Sequence, residues 1–527
     1  MKKIIYILLL LLVHGSIVAQ KKQPAIKPFT NDELKDASKE ADAYFKALNY
    51  PMALKLYERL VITEAGNAEY NHKLGLCYLL TNLAKHKAVP YLEFAANANT
   101  KDKPKDVLFD LGKAYHYAGL YDKAIETFEA FRVQKGGSVD AKLKFTRWVE
   151  WSYNAKKLVE NPVACTFQNL SKTINSTQAD YRPIMGAADT IIYFSSKRKG
   201  STGGLTDDFG DSPSDVYFFT QNDTSRSKVK NAGIAVNTEF YEETMFLNMN
   251  GDRMLIYREG PEANGDIYLA DLQGKSWAKP VLLGKDFQTK VLETGATMSP
   301  DGLTLYFSAE AMDGKTGKDI YKCTRTESTG FGKPEKLTGP LNTDGDEDNP
   351  VLWLDGKTLF FSSTNHQSMG GLDIFMSYMS SPSEGFGAPM NLGYPINSVY
   401  DDFNIAVAAD GKTAYLSAVR DSGIGDYDLY KVTLEKSLVQ NPLCWVAGKG
   451  VTNVGTPAKG AFAVITTPSS GDAVATLETN EANGRFDVAL PPGTYKVVLK
   501  HAKAGKAETD LVIEPGTSHM SVELKFP

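Results

Sequence analysis

Ten acidic residues recur at matching places in the middle of this chain, and they are the residues best equipped for chemistry. One set is Asp180, Glu243, Glu293, Glu347 and Asp402; the other is Asp215, Asp266, Asp319, Asp373 and Asp428. A ring of carboxylates can hold a cation or a basic peptide on a central axis. It can also accept hydrogen bonds from backbone N–H and Ser hydroxyl groups between strands. Two carboxylates about 8 Å apart repel by ~0.5 kcal/mol in water and by ~2 kcal/mol at an effective dielectric of 20. A buried ring therefore needs partners, and Ser and backbone donors stand beside it in the sequence. The structural role is the expected one.

Other chemistry is poorly represented. Asp344, Asp346 and Asp348 alternate as in a calcium loop, but Asn349 stands where the EF-hand needs Gly, and no Glu closes the twelfth position. A solvated acidic loop is expected there. The seven His residues are scattered without metal-ligand spacing. No Gly-x-Ser-x-Gly elbow is present, and no glycine-rich loop shaped for phosphate. The sequence nominates no catalytic residue, no metal site and no cofactor.

The elements that must position the acids are repeated. An acidic residue, a short apolar strand, a tight turn, an aromatic-Ser strand and a Gly-containing loop lead each time to Asp-apolar-aromatic. That closing triplet is Asp215-Val216-Tyr217, Asp266-Ile267-Tyr268, Asp319-Ile320-Tyr321, Asp373-Ile374-Phe375 and Asp428-Leu429-Tyr430. So regular a period marks one supersecondary unit stacked on itself. A unit of short strands with hairpin turns is a propeller blade. Asn250-Gly251, Asp301-Gly302, Asp355-Gly356 and Asp410-Gly411 supply the first turn, with Ala188-Asp189 in the first copy. Outer strands are expected to end at Val236-Asn237-Thr238, Leu341-Asn342-Thr343 and Ile396-Asn397-Ser398, with Phe287-Gln288-Thr289 as a divergent copy. An orphan copy ending Ile174-Asn175-Ser176 precedes the first unit, and the last unit stops early at Leu434. The N-terminal strand should therefore complete the C-terminal blade and close five blades into a ring without an open edge.

Lys2 and Lys3 precede an apolar run from Ile4 to Val13, and Ala19 offers a small residue for cleavage, so 1–19 reads as an export signal. The formal net charge is −5 at pH 7, and loss of the two lysines makes it more negative. That balance argues against nucleic acid and anionic membrane surfaces as partners. A soluble, exported, periplasmic chain is expected, with no transmembrane segment. Its four Cys are Cys77, Cys165, Cys323 and Cys444. Cys165 and Cys444 lie just outside the repeats, at points a closed ring brings together. A bridge between them is one reading and two unpaired, half-buried thiols the other.

Residues 30–159 have helical periodicity. Leu108, Leu111-Gly112, Tyr115, Ala124 and Phe128 form one helix pair, with small residues where the helices touch. Leu74-Gly75, Tyr78, Ala88 and Tyr91-Leu92 form a looser copy, and Ala41, Phe45, Ala53 and Tyr57 a partial first one. Lys142–Leu158, with Trp148 and Trp151, reads as a capping helix. The concave face of such an array can hold a peptide or a partner's helix; alternatively the helices pack on the neighbouring domain. Residues 163–436 carry the ring, and 443–527 change to short alternating strands, six or seven in a small sandwich.

Residues 108–128 carry the tetratricopeptide pattern, and Gly484-Arg485-Phe486 with Gly493-Thr494-Tyr495 resemble the carboxypeptidase regulatory-like fold, which is itself non-catalytic. With the Asp-Ile-Tyr strands and Tyr306-Phe307-Ser308, the whole chain resembles Bacteroidetes periplasmic proteins that join tetratricopeptide repeats, a TolB-type propeller and a regulatory-like sandwich. The resemblance implies association with type IX secretion and gliding motility, and protein partners in the outer membrane or periplasm. Fuller members of that family continue into an OmpA-like peptidoglycan-binding domain, whereas this sequence ends at Phe526-Pro527. Direct peptidoglycan binding is therefore not expected, and a partner would provide the tether. The function expected is a non-catalytic scaffold in an envelope complex; the alternative is a peptide- or glycan-binding sensor.

Overall fold

The structure is a computed structural model. It describes residues 27–82, 84–99, 104–137, 144–186, 191–206, 210–220, 228–260, 265–283, 289, 291–313, 317–326, 330–381, 383–468, 471, 473–480 and 483–527. The expected export signal at 1–19, the Ala188-Asp189 turn, Phe287-Gln288 and Lys142 lie outside them. Among the described residues no helix is long and apolar enough to cross a membrane.

Three antiparallel helix pairs come first: α1 (Asn31–Lys46) with α2 (Tyr50–Thr63), α3 (Ala68–Leu79) with α4 (Ala88–Asn97), and α5 (Val107–Tyr117) with α6 (Tyr121–Gln134). A further helix, α7 (Phe145–Glu160), follows. Thr30 and Glu33 form a capping box at the start of α1, and Asn49 and Asn67 cap α2 and α3 through their side chains. One continuous core joins the pairs through Ala41, Ala53, Tyr57, Leu74, Leu92, Ala124 and Phe128. Gly75 and Gly112 set the closest approaches. A Cβ on Gly75 would stand 2.5 Å from Leu92 Cγ, and one on Gly112 2.4 Å from Phe128 Cε1. Gly112→Ala would gain about 1 kcal/mol of helix propensity, but overpacking at this contact costs about 1–3 kcal/mol. The helical unit of that variant is expected to melt earlier by circular dichroism; an unchanged midpoint would show that Phe128 yields freely.

Five antiparallel sheets follow. The first holds β2 (Asp180–Met185), β3 (Ile191–Ser196), β4 (Asp215–Thr220) and β5 (Lys230–Asn231); the second, β6 (Glu242–Leu247), β7 (Arg253–Glu259), β8 (Gly265–Gln273) and two short strands on β8, β9 (Ser276–Trp277) and β10 (Val281–Leu282). The third has β11 (Glu293–Met298), β12 (Thr304–Glu310) and β13 (Lys318–Thr326), with β14 (Gly330–Phe331) and β15 (Glu335–Lys336) on β13. The fourth has β16 (Glu347–Leu352), β17 (Thr358–Ser363), β18 (Asp373–Tyr378) and β19 (Met390–Asn391). The fifth has β20 (Asp402–Val407), β21 (Thr413–Ala418) and β22 (Asp428–Leu434), and its outer strand is β1 (Cys165–Asn169), paired antiparallel from Cys165↔Leu434 to Asn169↔Tyr430. The inner strands touch in order, β2 to β6, β11, β16 and β20, and β20 returns to β2. The sheets thus stand in a closed ring, and the strand before the repeats completes the last sheet.

Two expectations are corrected. The outer strands end earlier than the Asn-Ser/Thr triplets: they stop at Asn231, Lys336, Asn391 and, for β1, Asn169, and the triplets fall in the next turn. After β1 that turn is a short helix, α8 (Ser171–Ile174). The reason is that Asn175, Asn237, Asn342 and Asn397 replace strand pairing with their own amides, as described below. Second, of the two readings for Cys165 and Cys444 the bridge is ruled out: both are free, Cys165 half-buried and Cys444 buried, as are Cys77 and Cys323.

Among the described residues the last unit has seven strands in two sheets: β23 (Cys444–Val451), β24 (Phe462–Thr466), β25 (Ala473–Glu478), β26 (Arg485–Leu490), β27 (Gly493–His501), β28 (Gly505–Ile513) and β29 (His519–Lys525). The sheet orders are β26-β23-β29 and β25-β24-β27-β28, around a core that includes Ala463, Ile465, Phe486, Val497 and Leu499. β29 lies beyond the last strand expected from the pattern and pairs parallel to β23.

Both flanking units are docked on the ring. From α7, Trp151 Nε1 donates to Thr364 O (3.2 Å), Asn154 Nδ2 donates to Ser368 O (2.9 Å), and Arg147 bonds Asn365. Ala155 of α7 is buried with Met369, Val399, Tyr400 and Val419. Lys85, also buried, is pushed down to about 8 by burial, against the opposing pull of Asp401 and Asp426. The sandwich sits at the other end of the strands, on the first-hairpin turns. There Trp445 packs with Met249, Leu354 and Ala409, and Asn480 Nδ2 donates to Asp252 Oδ2 (2.7 Å).

Candidate functional site: the ring axis and the joints behind it

Each joint between sheets is built from one run of residues. Asn237 illustrates it. Val216 N donates to Asn237 Oδ1 (2.8 Å), Asn237 Nδ2 donates to Val216 O (3.0 Å), and the same amide reaches Asn231 Oδ1. The side chain thereby takes up the N–H of the residue after Asp215, which would otherwise be orphaned where β5 ends, and shares its carbonyl with Ala232 N (2.9 Å). Asn342 does this for Ile320, Asn397 for Ile374 and Asn175 for Leu429. The next residue, Ser or Thr, then donates to an acid four positions on. Ser176 N reaches Asp180 Oδ2, Thr238 N Glu242 Oε2, Thr343 N Glu347 Oε2 and Ser398 N Asp402 Oδ2, and the Thr289 hydroxyl bonds Glu293.

This geometry revises the first acidic set: the second joint uses Glu242 instead of Glu243. The constant offset from the Asn-Ser/Thr pair carried that information. All five joint acids are buried: Asp180, Glu242, Glu347 and Asp402 are fully enclosed, and Glu293 is 2% exposed. Three of them hold an Arg from the end of the second strand. Arg198 Nη2 lies 2.6 Å from Asp180, Arg258 Nε 3.2 Å from Glu242 and Arg420 Nη1 2.6 Å from Asp402. His366 stands 4.0 Å from Glu347 in the corresponding place.

The second set also bonds locally. Asp215 accepts from Thr202 N and Asn231 Nδ2, Asp373 from Met369 N and Asn391 Nδ2, and Asp428 from Ile424 N and Asn169 Nδ2. Asp319 takes Lys336 Nζ (2.7 Å). Asp266 is half-buried, and burial raises its carboxyl. The three acids of the calcium-like run point to different partners: Asp344 to Asn365 and Arg147, Asp346 to Lys318 N, and Asp348 to the axis.

Ser hydroxyls tie neighbouring inner strands. The inner strands carry a bulge just after the joint acid, and at three of the five junctions a Ser of the preceding sheet accepts a freed N–H. Ser195 Oγ accepts from Thr244 N (2.9 Å), and Ser417 Oγ accepts from Arg182 N (2.8 Å) across the closure. The bulge aims the residue after each joint acid (Tyr181, Glu243, Thr294, Asp348 and Phe403) inward. Tyr181 OH donates to Glu243 (2.6 Å), with Arg182 Nη1 3.3 Å from the same carboxylate. Thr294 Oγ1 and Lys318 Nζ both donate to Asp348 (2.6 Å each). Burial pushes the Asp348 carboxyl up, but Lys318 and Arg182 together outweigh it and hold it at about 2. Beside this cluster lies a cavity of about 310 Å³ lined by Arg182, Tyr241, Glu243, Tyr257, Glu259 and Glu293. Its carboxylates and phenol faces suit a cationic group better than an anionic one. Glu243, the outlier of the acidic set, lines this space together with Glu293.

The joints predict a pH dependence. Burial raises Glu242 to about 7 and Asp402 to about 6. A carboxyl with a folded pKa above its unfolded value near 4 binds more protons when folded, so its stabilisation is complete below pH ~4 and disappears as pH rises through the folded value. The ring is expected to melt at a higher temperature at pH 5 than at pH 8, and Glu242→Gln is expected to flatten the fall. A melting temperature that climbs steadily from pH 5 to 8 would contradict this.

No family model matches the chain, and no curated protein sequence matches it. Among solved structures the chain is similar to a putative TolB from Agrobacterium tumefaciens, at 13% identity over 69% of this chain and 95% of that one (TM-score 0.30). It is similar to the Sgt2 TPR domain from Aspergillus fumigatus at 21% identity over 27% of this chain and 88% of that one (TM-score 0.20). An endo-arabinase from Bacteroides thetaiotaomicron VPI-5482 matches at 14% identity over 52% of this chain and 98% of that one (TM-score 0.33).

Proposed function

We propose that this chain is a non-catalytic periplasmic scaffold, a five-bladed propeller carrying a tetratricopeptide-like array (30–159) and a regulatory-like sandwich (443–527), which holds protein partners in an envelope complex of the type IX secretion or gliding-associated kind. One observation carries the reading. The helical array and the sandwich dock at opposite ends of the ring's strands, so the ring acts as a spacer that fixes two binding modules relative to each other. The joints add support, because their buried carboxylates are already engaged by Ser, Thr and Arg. A catalytic carboxyl pair needs two members free to exchange protons, and the joint acids are held by structure.

The test is cross-linking in intact cells followed by affinity purification of the tagged chain. Co-purification of outer-membrane secretion or motility components is the expected result; recovery of the chain alone from the soluble periplasm would overturn the scaffold reading. The axial cavity favours a second reading, a sensor for a cationic peptide group. Saturable binding of a Lys-containing tripeptide that Glu243→Gln abolishes would support it.

A further inference from the structure

The sandwich and the ring do not close completely on each other. Between them runs a groove of about 890 Å³, within the range of ligand-binding clefts. One wall consists of first-hairpin turns, including Asp301, Asp355 and Lys357, and the other of Ala473–Leu477 and Asp487–Ala489. The second wall is informative because its residues are consecutive. A strand lining a cleft with one face would contribute every second residue. Five successive residues of β25 and three of β26 mean that both strands stand edge-on. Both are terminal strands of their sheets, and among the described residues β25 pairs only with β24. A strand edge presents a row of unpaired N–H and C=O groups, a template for another extended chain. β25 has little of the usual protection: it has no Lys or Pro, its one bulge is at Val474, which is 47% exposed, and Ala475–Glu478 beyond it pair in regular register.

We propose that the groove is a β-augmentation site, in which an extended segment of a partner protein adds alongside β25. This rests on the scaffold reading and names its surface. The charge of the walls selects the partner: Asp301 and Asp355 outnumber Lys357, while Asp487 is already paired with Arg485 (3.4 Å), so the segment carries Lys or Arg beside its apolar residues. Main-chain hydrogen bonds supply affinity, and the acidic turns supply selection.

The experiment uses the full mature chain and three synthetic peptides of alternating Val and Thr, flanked by Lys, Gln or Glu, with binding read by fluorescence anisotropy. The Lys-flanked peptide is expected to bind at least about tenfold more tightly than the Glu-flanked one. It is also expected to slow amide exchange in β25 and leave β28 unchanged. Two adjacent proline variants give the decisive control. In an antiparallel pair, successive residues point their N–H groups alternately toward and away from the partner strand. Of Ala475→Pro and Thr476→Pro, one therefore breaks the β24 ladder and destabilises the sandwich, while the other removes an N–H that faces the groove and leaves folding intact. The folded variant should lose peptide binding at least about tenfold. Wild-type binding by that variant, or no binding by any of the three peptides at about 1 mM, would overturn the proposal. A dimer of the chain that the same variant dissolves would also overturn it, by assigning the groove to a second copy. Partners recovered in cells equally well with that variant would leave the scaffold standing and remove the groove from it.

Discussion

Asp402→Ala is expected to cost the ring about 3–5 kcal/mol at pH 8, where its carboxyl is charged. Asp402 is fully enclosed and the Arg420 side chain is 16% exposed, and the guanidinium also donates to Ser398 Oγ and to the carbonyls of Pro395, Ile396 and Val419. Removing the carboxylate leaves that cation beside carbonyls and the Ser398 hydroxyl, with no counter-charge. Asp402→Asn resembles the protonated acid and should cost less. Arg420→Met combined with Asp402→Ala should restore part of the loss, because the buried charge goes with its partner. A double-mutant cycle on the urea midpoint measures the coupling. A cost below about 1 kcal/mol for Asp402→Ala would mean that water reaches the joint.

Gly425→Ala should come next, at about 3 kcal/mol, the upper end of overpacking costs. A Cβ there would lie 2.2 Å from Gln178 O and 2.9 Å from Ser176 O, both backbone atoms that cannot rotate away. The contact lies at the closure, where Asp180 N donates to Tyr427 O (2.8 Å). The Gly-containing loop recurs because each copy meets the next joint: Gly370 would meet the backbone of Val399, Gly317 that of Gly345 and Gly203 that of Glu239. Gly370→Ala should therefore behave like Gly425→Ala. Thermal midpoints test both, and values within experimental error of wild type would show that these loops move apart freely.

Much of this architecture is legible in the sequence, and the illegible parts share a cause. The Asp-apolar-aromatic triplets open or begin the third strands because period and apolar pattern act locally. Asn237 reads as strand because its apolar and Thr neighbours fit one. Its real task, standing in for a missing strand, depends on the distant Val216. Glu242 and Glu243 are adjacent acids, and only the fixed step from the preceding Ser or Thr separates a joint from an axial side chain. The bulges turn on backbone angles such as those of Arg182, Asn349 and Asn404, whose φ values are +54°, +52° and +56°. Nothing in residue type announces that for Arg182. β29 pairs parallel to β23, a long-range match without a hairpin signal. The edge-on setting of β25 depends on two domains meeting, which no local pattern encodes.

The strand that closes the ring begins five residues after α7 ends. A pull on the helical array would therefore bear on the seam between β1 and β22, whose hydrogen bonds would open one after another if tugged from one end. The bonds from Trp151 and Asn154 to the fourth sheet divert that load. They anchor the array to a sheet beside the seam, so tension must first shear the α7 dock before it reaches the zipper. The fastening that could unravel is shielded by one that must slip first.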